Sequence, residues 1–212
     1  MNYGDLKALV MSESHRADLE DDVPGFIRRA EAMIARECRA TEMLLIAPLI
    51  EADRTTADSP LYNLPSDFLE DRTVVAEGAL LTKVSRDALL RTSESGSVLV
   101  YYMRGTSTAW QIEFRAIPAT DAELELEYYA RPAALADDAD TNRLLEAHET
   151  VYLHAALFAL YSKTQDLELA QASLDTWTDA VGKLNEQAGR YLGGTQLSRS
   201  MNLGHVRTGG SY

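Results

Sequence analysis

The chain has 212 residues, 46% of them hydrophobic, and a formal net charge of −13, which suits one globular domain, or a domain with an insertion, around a proper core. The acidic balance excludes a body that grips phosphate backbones, because such binding depends on Lys and Arg displacing counterions. No apolar run of about 18 residues exists to span a bilayer, and the opening MNYGDLKALVMSESHR lacks the basic start and apolar stretch of a signal peptide, so a soluble protein made in a cytoplasm is expected, with no membrane partner.

Leu6, Leu9 and Val10 predict a short first helix over residues 3–11. The acidic stretch LEDDV then leads into VPGFIRRAEAMIAREC, where Phe26, Ile27, Ala30, Met33, Ile34 and Cys38 share one side of a helical wheel and Pro24 marks the start. This second helix is expected over 24–40. Cys38 is the single cysteine, which excludes an intrachain disulfide and a multi-cysteine zinc site and marks it as a packing residue.

From Thr41 the texture changes, and residues 41–131 read as an inserted β region. TEMLLIAPLIEAD and RTVVAEGALLTKV are short, interrupted apolar runs flanking LYNLPSDFLED, and SVLVYYMRGTSTAWQIEF reads as two strands joined around Gly105. In ELELEYYARP, Leu124, Leu126 and Tyr128 alternate with Glu123, Glu125 and Glu127 until Pro132 ends the pairing. An antiparallel sheet is the economical arrangement.

Helical spacing returns in NRLLEAHETVYLHAALFALYSKT, predicting a helix over 142–163, and a last helix over 166–190 comes after it. Its apolar positions Leu167, Ala170, Leu174, Trp177, Val181, Leu184, Ala188 and Tyr191 step by threes and fours without a break. Such a seam demands a partner helix, inside the bundle or in a neighbouring subunit. The fold class is therefore α+β, mainly α: a helical bundle with an inserted antiparallel β-sheet (body 1–190) and an extended C-terminal tail (191–212).

HETVYLH resembles a zinc-protease helix only superficially. His148 and His154 are six apart, so at about 100° per residue they point roughly 120° away from each other. The carboxylates Asp21 with Asp22, and Asp137, Asp138 with Asp140, lack the spacing of a calcium loop and lie beside helix starts, where acids are expected anyway. Arg72, Arg86, Arg91, Arg104 and Arg115 lie near Tyr101, Tyr102 and Trp110, an arrangement that would suit single-stranded nucleic acid, but strands bury such aromatics and the intervening acids repel phosphate. No catalytic residue, metal or cofactor is assigned.

The tail YLGGTQLSRSMNLGHVRTGGSY contains no Asp or Glu; beyond Glu186 lie Arg190, Arg199 and Arg207 with His205. A glycine-rich arm of this kind is expected to be disordered when free. Apolar anchors at Leu192, Leu197, Met201, Leu203, Val206 and Tyr212, with Arg190, Arg199 and Arg207 beside them, make it a candidate docking strap; a flexible terminus without a partner is the alternative.

Together, YGDLKALV, VPGFIRRAEAMIARECR, LPSDFLEDRTV, LELEYYARPAAL and LLEAHETVYLHAALFAL resemble the head-to-tail adaptor (connector) family of tailed bacteriophages, across most of residues 3–180. The resemblance implies a virion protein that assembles as a dodecameric ring on the portal protein, receives a downstream tail or nozzle protein, and leaves an axial channel through which DNA passes without specific binding. Family members extend a C-terminal segment along the portal, which gives the strap residues above a portal-binding role by inference. A related head-completion or stopper protein, a helical interaction module using the seam, and a metal-dependent hydrolase using Asp137 or Asp138 stand as alternatives.

Overall fold

Asn2 starts the first helix, α1 (Tyr3–Ser14), with a reciprocal cap: its side-chain oxygen accepts the Asp5 N–H at 2.8 Å, and the Asp5 carboxylate accepts the Asn2 N–H at 3.2 Å. The helix runs three residues past the expected end and stops where His15 turns left-handed at φ 52°. In the computed structural model of the chain, residues 1–56, 59–92, 100–106, 109–119 and 122–200 are described, with side chains as far as Arg190. The chain divides into two compact units, Met1–Glu42 with Ala133–Tyr212, and Met43–Pro132.

In the first unit α2 (Val23–Glu37) carries Pro24 in its first turn and buries Val23, Phe26, Ile27, Ala30 and Ile34. It ends at Glu37 instead of residue 40; Cys38 is already extended, yet its side chain is fully buried. Since α3 (Arg86–Arg91) belongs to the second unit, the bundle continues with α4 (Arg143–Ala147) and α5 (Glu149–Thr164). The single helix expected over 142–163 breaks at His148, whose backbone (φ −140°, ψ 61°) is not helical. Buried Val151, Tyr152, Ala155, Ala156, Ala159 and Leu160 make α5 the centre of the unit, with α1, α2 and α6 (Leu167–Ser200) packed around it. Its alanines let neighbouring helices approach closely, so little of its surface reaches water.

The apolar seam of α6 finds its partner inside the chain. Ala170, Trp177, Val181 and Ala188 are buried and Leu174 and Leu184 half-buried along α5. Leu167 departs from the seam, being 76% exposed in the first turn. The helix also continues ten residues past its expected end at 190, so residues 191–200, read from their glycines as extended, are helical. Gly193 and Gly194 each cost about 1 kcal/mol relative to alanine, but an established helix gains a hydrogen bond with every added residue, and no proline stops it. The remaining tail residues, 201–212, lie outside the described residues.

The second unit contains two four-stranded sheets where one was expected. The first has the order β1-β8-β3-β4, from β1 (Leu44–Pro48), β3 (Phe68–Ala76), β4 (Ala79–Leu80) and β8 (Leu124–Ala130); the second has the order β2-β7-β6-β5, from β2 (Leu61–Asn63), β5 (Thr82–Lys83), β6 (Val100–Gly105) and β7 (Trp110–Phe114). Strands with one apolar face must bury it against a second layer, and here that layer is another sheet. Leu124, Leu126 and Tyr128 face the core as the alternation predicts, joined by Phe68 and Val74 from β3 and by Tyr62, Tyr101, Ile112 and Phe114 from the other sheet. Aromatic rings fill the seam: Phe68 stacks on Tyr128 at 5.7 Å, and Tyr62 meets Phe114 edge-on at 5.6 Å. β6 and β7 form the hairpin expected around Gly105. The pairing of β5 with β6, however, is parallel, with α3 in the crossover between them.

Candidate functional site

Four of the residues singled out from sequence, Arg190, Leu192, Leu197 and Arg199, fall at the far end of α6. Up to Ala188 the helix is held down: Asn185 bonds the end of α2, and the Ala188 side chain is buried. At the next turn Arg190 is exposed and reaches Glu186, one turn back, at 3.5 Å. Leu192, Leu197 and Arg199 lie on the remaining helical turns, where backbone alone is described. Met201, Leu203, Val206, Arg207 and Tyr212 lie outside the described residues. With 34 residues at ~1.5 Å each, α6 is about 50 Å long, roughly twice the length of α5.

The other candidate groups are engaged in holding the fold. His148 sits at the break between α4 and α5 with its Nε2 3.3 Å from the Glu42 carboxylate. Burial would raise the Glu42 carboxyl, but its own backbone N–H, the imidazole and the Thr41 hydroxyl outweigh it and hold the group below the usual carboxylate range. His154 is half-buried on α5, its Nδ1 buried with no hydrogen-bond partner, and burial pushes its pKa down. The two imidazoles therefore serve different places. Burial raises the Cys38 thiol to about 11, so it stays protonated and inert.

Among the carboxylates, Asp138 pairs with Lys7 at 2.5 Å and Asp22 with Lys163 at 2.6 Å, tying loops to helices. Asp140 accepts the N–H groups of Ala136 and Asp137 at 2.8 and 2.7 Å, which holds its pKa below the usual range. In the β unit Arg72 reaches Glu127 at 2.9 Å, Arg115 donates to the Thr92 carbonyl at 2.5 Å, and Tyr101 is buried with its hydroxyl on Asp71. Arg72 and Arg115 thus bind partners of their own and Tyr101 points inward, whereas Arg86, Arg91, Arg104 and Trp110 are exposed. Among the described residues no group of three or more His, Cys, Asp and Glu is placed to hold a metal, and no helix is long and apolar enough to cross a membrane.

Residues 1–201 match the sequence pattern of the SU10 adaptor protein family, so the match covers the elements of both units and ends one residue past α6. The chain belongs to the SU10 adaptor protein family. This is a phage head-tail adaptor family, in agreement with the resemblance carried by the five sequence stretches. No curated protein matches the chain. Of the strap residues, Arg190, Leu192, Leu197, Arg199 and Met201 fall within the family match of the adaptor, and Leu203, Val206, Arg207 and Tyr212 beyond it.

Several residues that organise the adaptor gave weak signals in sequence. Ser85 precedes RDALLR and caps α3 by accepting the Ala88 N–H, a start signal present in the sequence. Asn142 likewise caps α4 by accepting the Leu145 N–H, whereas Asn185 and Asp71 are half-buried polar residues that no local pattern marks.

Proposed function

We propose that this adaptor is a structural, non-enzymatic virion protein that assembles as a ring, most simply a dodecamer, beneath the portal and joins the head to a downstream tail or nozzle protein. The observation that carries the reading is the family match over 1–201, which takes in the elements of both units and all of α6. The protein is made in the host bacterial cytoplasm and acts at the head-tail junction. Its net charge of −13 suits a channel lining from which DNA slides, since a ring that gripped phosphates would hinder packaging and ejection.

Portal docking falls to the end of α6 and the segment beyond it: Arg190, Leu192, Leu197, Arg199, Met201, Leu203, Val206, Arg207 and Tyr212. A helix that leaves its own bundle can lay apolar residues into a partner's groove, while arginines pair with acids at the rim. Many such helices in one ring add avidity.

The test is co-sedimentation with tailless, DNA-filled heads from the same phage. Because Ala188 is buried, the truncations end at Arg190 and at Ser200, which leaves the described core intact. Full-length protein is expected to sediment with heads and the chain ending at Arg190 to stay in solution; the chain ending at Ser200 apportions docking between helix and terminal segment. Equal binding by all three would move the docking surface to the body, and no binding by any would remove the portal reading.

A further inference from the structure

A head-to-tail ring requires two different surfaces on each copy, one to give and one to receive. The β unit carries such a pair about the sheet β2-β7-β6-β5: α3 beside β5 at one end and, where β2 at the other end meets β1 and β8 of the other sheet, a groove. At one end α3, which comes after β5 and packs on β6, is anchored by buried Leu89, capped by Ser85, and held at its C-terminal end by Arg115 on the Thr92 carbonyl. So anchored, it turns outward Leu90, 60% exposed, with the exposed Arg86, Asp87 and Arg91 around it, two cations to one anion. Neither arginine has an ion-pair partner among the described residues.

At the other end, Tyr62 of β2 forms part of a groove of about 460 Å³ with Pro48, Ile50, Ala122, Glu123 and Glu125. Arg54 fixes Tyr62 by donating to its hydroxyl at 2.6 Å, and is itself occupied by Glu51 at 3.2 Å and by the Pro118 carbonyl. Ile50 is 54% exposed, and Glu123 and Glu125 are exposed without ion-pair partners among the described residues. α3 thus presents an apolar side chain with a surplus of positive charge around it, and the groove an apolar wall beside two unpaired anions.

We propose that α3 of one copy seats in the β1/β2/β8 groove of the next, Leu90 against Ile50 and Pro48, Arg86 and Arg91 against Glu123 and Glu125. The proposal deepens the ring reading and rests on it. The occupant is a second copy because the charge complement of the groove is carried by the same chain, on the exposed face of α3. DNA is a poor occupant, since two unpaired carboxylates repel its phosphates. A helix of six residues covers too little area to hold two copies together alone; closure of the ring, where every copy makes the contact through both surfaces, multiplies it.

Charge exchange tests this in the full-length protein. Arg86→Glu with Arg91→Glu reverses the knob, and Glu123→Lys with Glu125→Lys reverses the groove; all four side chains are exposed, so both variants are expected to fold, as circular dichroism would check. Each variant alone should load tailless heads about tenfold less than wild type. An equimolar mixture should recover wild-type loading, because reversed knobs meet reversed grooves and native knobs meet native grooves around the ring. On heads, a mixture of Leu90→Cys and Ile50→Cys chains should form a disulfide-linked pair. Normal loading by either variant alone, or a mixture no better than its components, overturns the proposal and assigns these charges to another partner. If wild type itself fails to load, the ring reading falls first and takes this contact with it.

Discussion

Asn185 on α6 closes the end of α2: its Nδ2 donates to the Glu37 carbonyl at 2.9 Å, while its Oδ1 accepts the Arg39 N–H at 2.7 Å. The last carbonyls of a helix have no partner within it, and here one side chain serves a carbonyl and the first N–H beyond the cap. It also fixes where α2 stops, and so places Cys38 in the core instead of on a further turn. Asn185→Ala should destabilise the helical unit by about 1–3 kcal/mol, since a half-buried carbonyl and N–H both lose their partner. Lys183→Ala, which removes only an exposed pair with Asp179, should change stability by less than about 1 kcal/mol. Thermal melts of the two variants check the contrast, and equal losses would remove Asn185 from this role.

Asp71 is the corresponding tie in the β unit. Its side chain is 6% exposed and belongs to β3, yet its oxygens take the Tyr101 hydroxyl at 2.8 Å and the Lys83 ammonium at 2.6 Å, both from the other sheet. Burial and then the Asp71 carboxylate push the Tyr101 pKa well above its ordinary value, so the hydroxyl stays a donor at any working pH. Asp71→Ala should cost about 3 kcal/mol or more, because it leaves a buried hydroxyl without an acceptor and the lysine without its charge partner, whereas Tyr101→Phe should cost about 1 kcal/mol. The double variant should fall short of the sum, and a denaturant-melt cycle measures the shortfall. Additive losses would mean that the two residues do not act through each other.

Periodicity is what makes parts of this fold legible in the sequence. The stripe Phe26, Ile27, Ala30, Ile34 and the alternation Leu124, Leu126, Tyr128 each repeat with the period of their element, so sequence alone places both. The break at His148 was not legible, because Leu144, Leu145, Val151 and Tyr152 keep apolar character across it and only the distant Glu42 marks the corner. Nor was the second sheet, whose edge strand β5 pairs in parallel with β6 across α3; strands of two residues such as β4 and β5 carry too little pattern to be seen. For the tail, glycine content put the end of the last helix at residue 190, ten residues short of its end at Ser200. Propensity decides locally, but α6 is already nucleated and packed along α5 by the time the chain reaches those glycines.

His154 makes the helical unit sensitive to acid. Burial lowers its pKa from the ordinary 6.5, with Glu13 opposing the shift only in part, and its Nδ1 has no hydrogen-bond partner. In the unfolded chain the imidazole takes a proton near pH 6.5 while in the folded chain it stays neutral to lower pH, so the unfolded state binds more protons in that interval. Stability is therefore full above about pH 6.5, falls as the pH drops toward the folded-state pKa, and levels off below it as far as this residue is concerned. His154→Leu should flatten the decline between about pH 7 and the folded-state pKa without lowering stability at neutral pH. Trp177 is buried at the α5–α6 seam and Trp110 belongs to the β unit, so a Trp110→Phe background makes emission a reporter of the helical unit alone. Urea melts at a series of pH values in that background, with and without His154→Leu, measure the slope; an unchanged slope would assign the acid sensitivity in that interval to other groups.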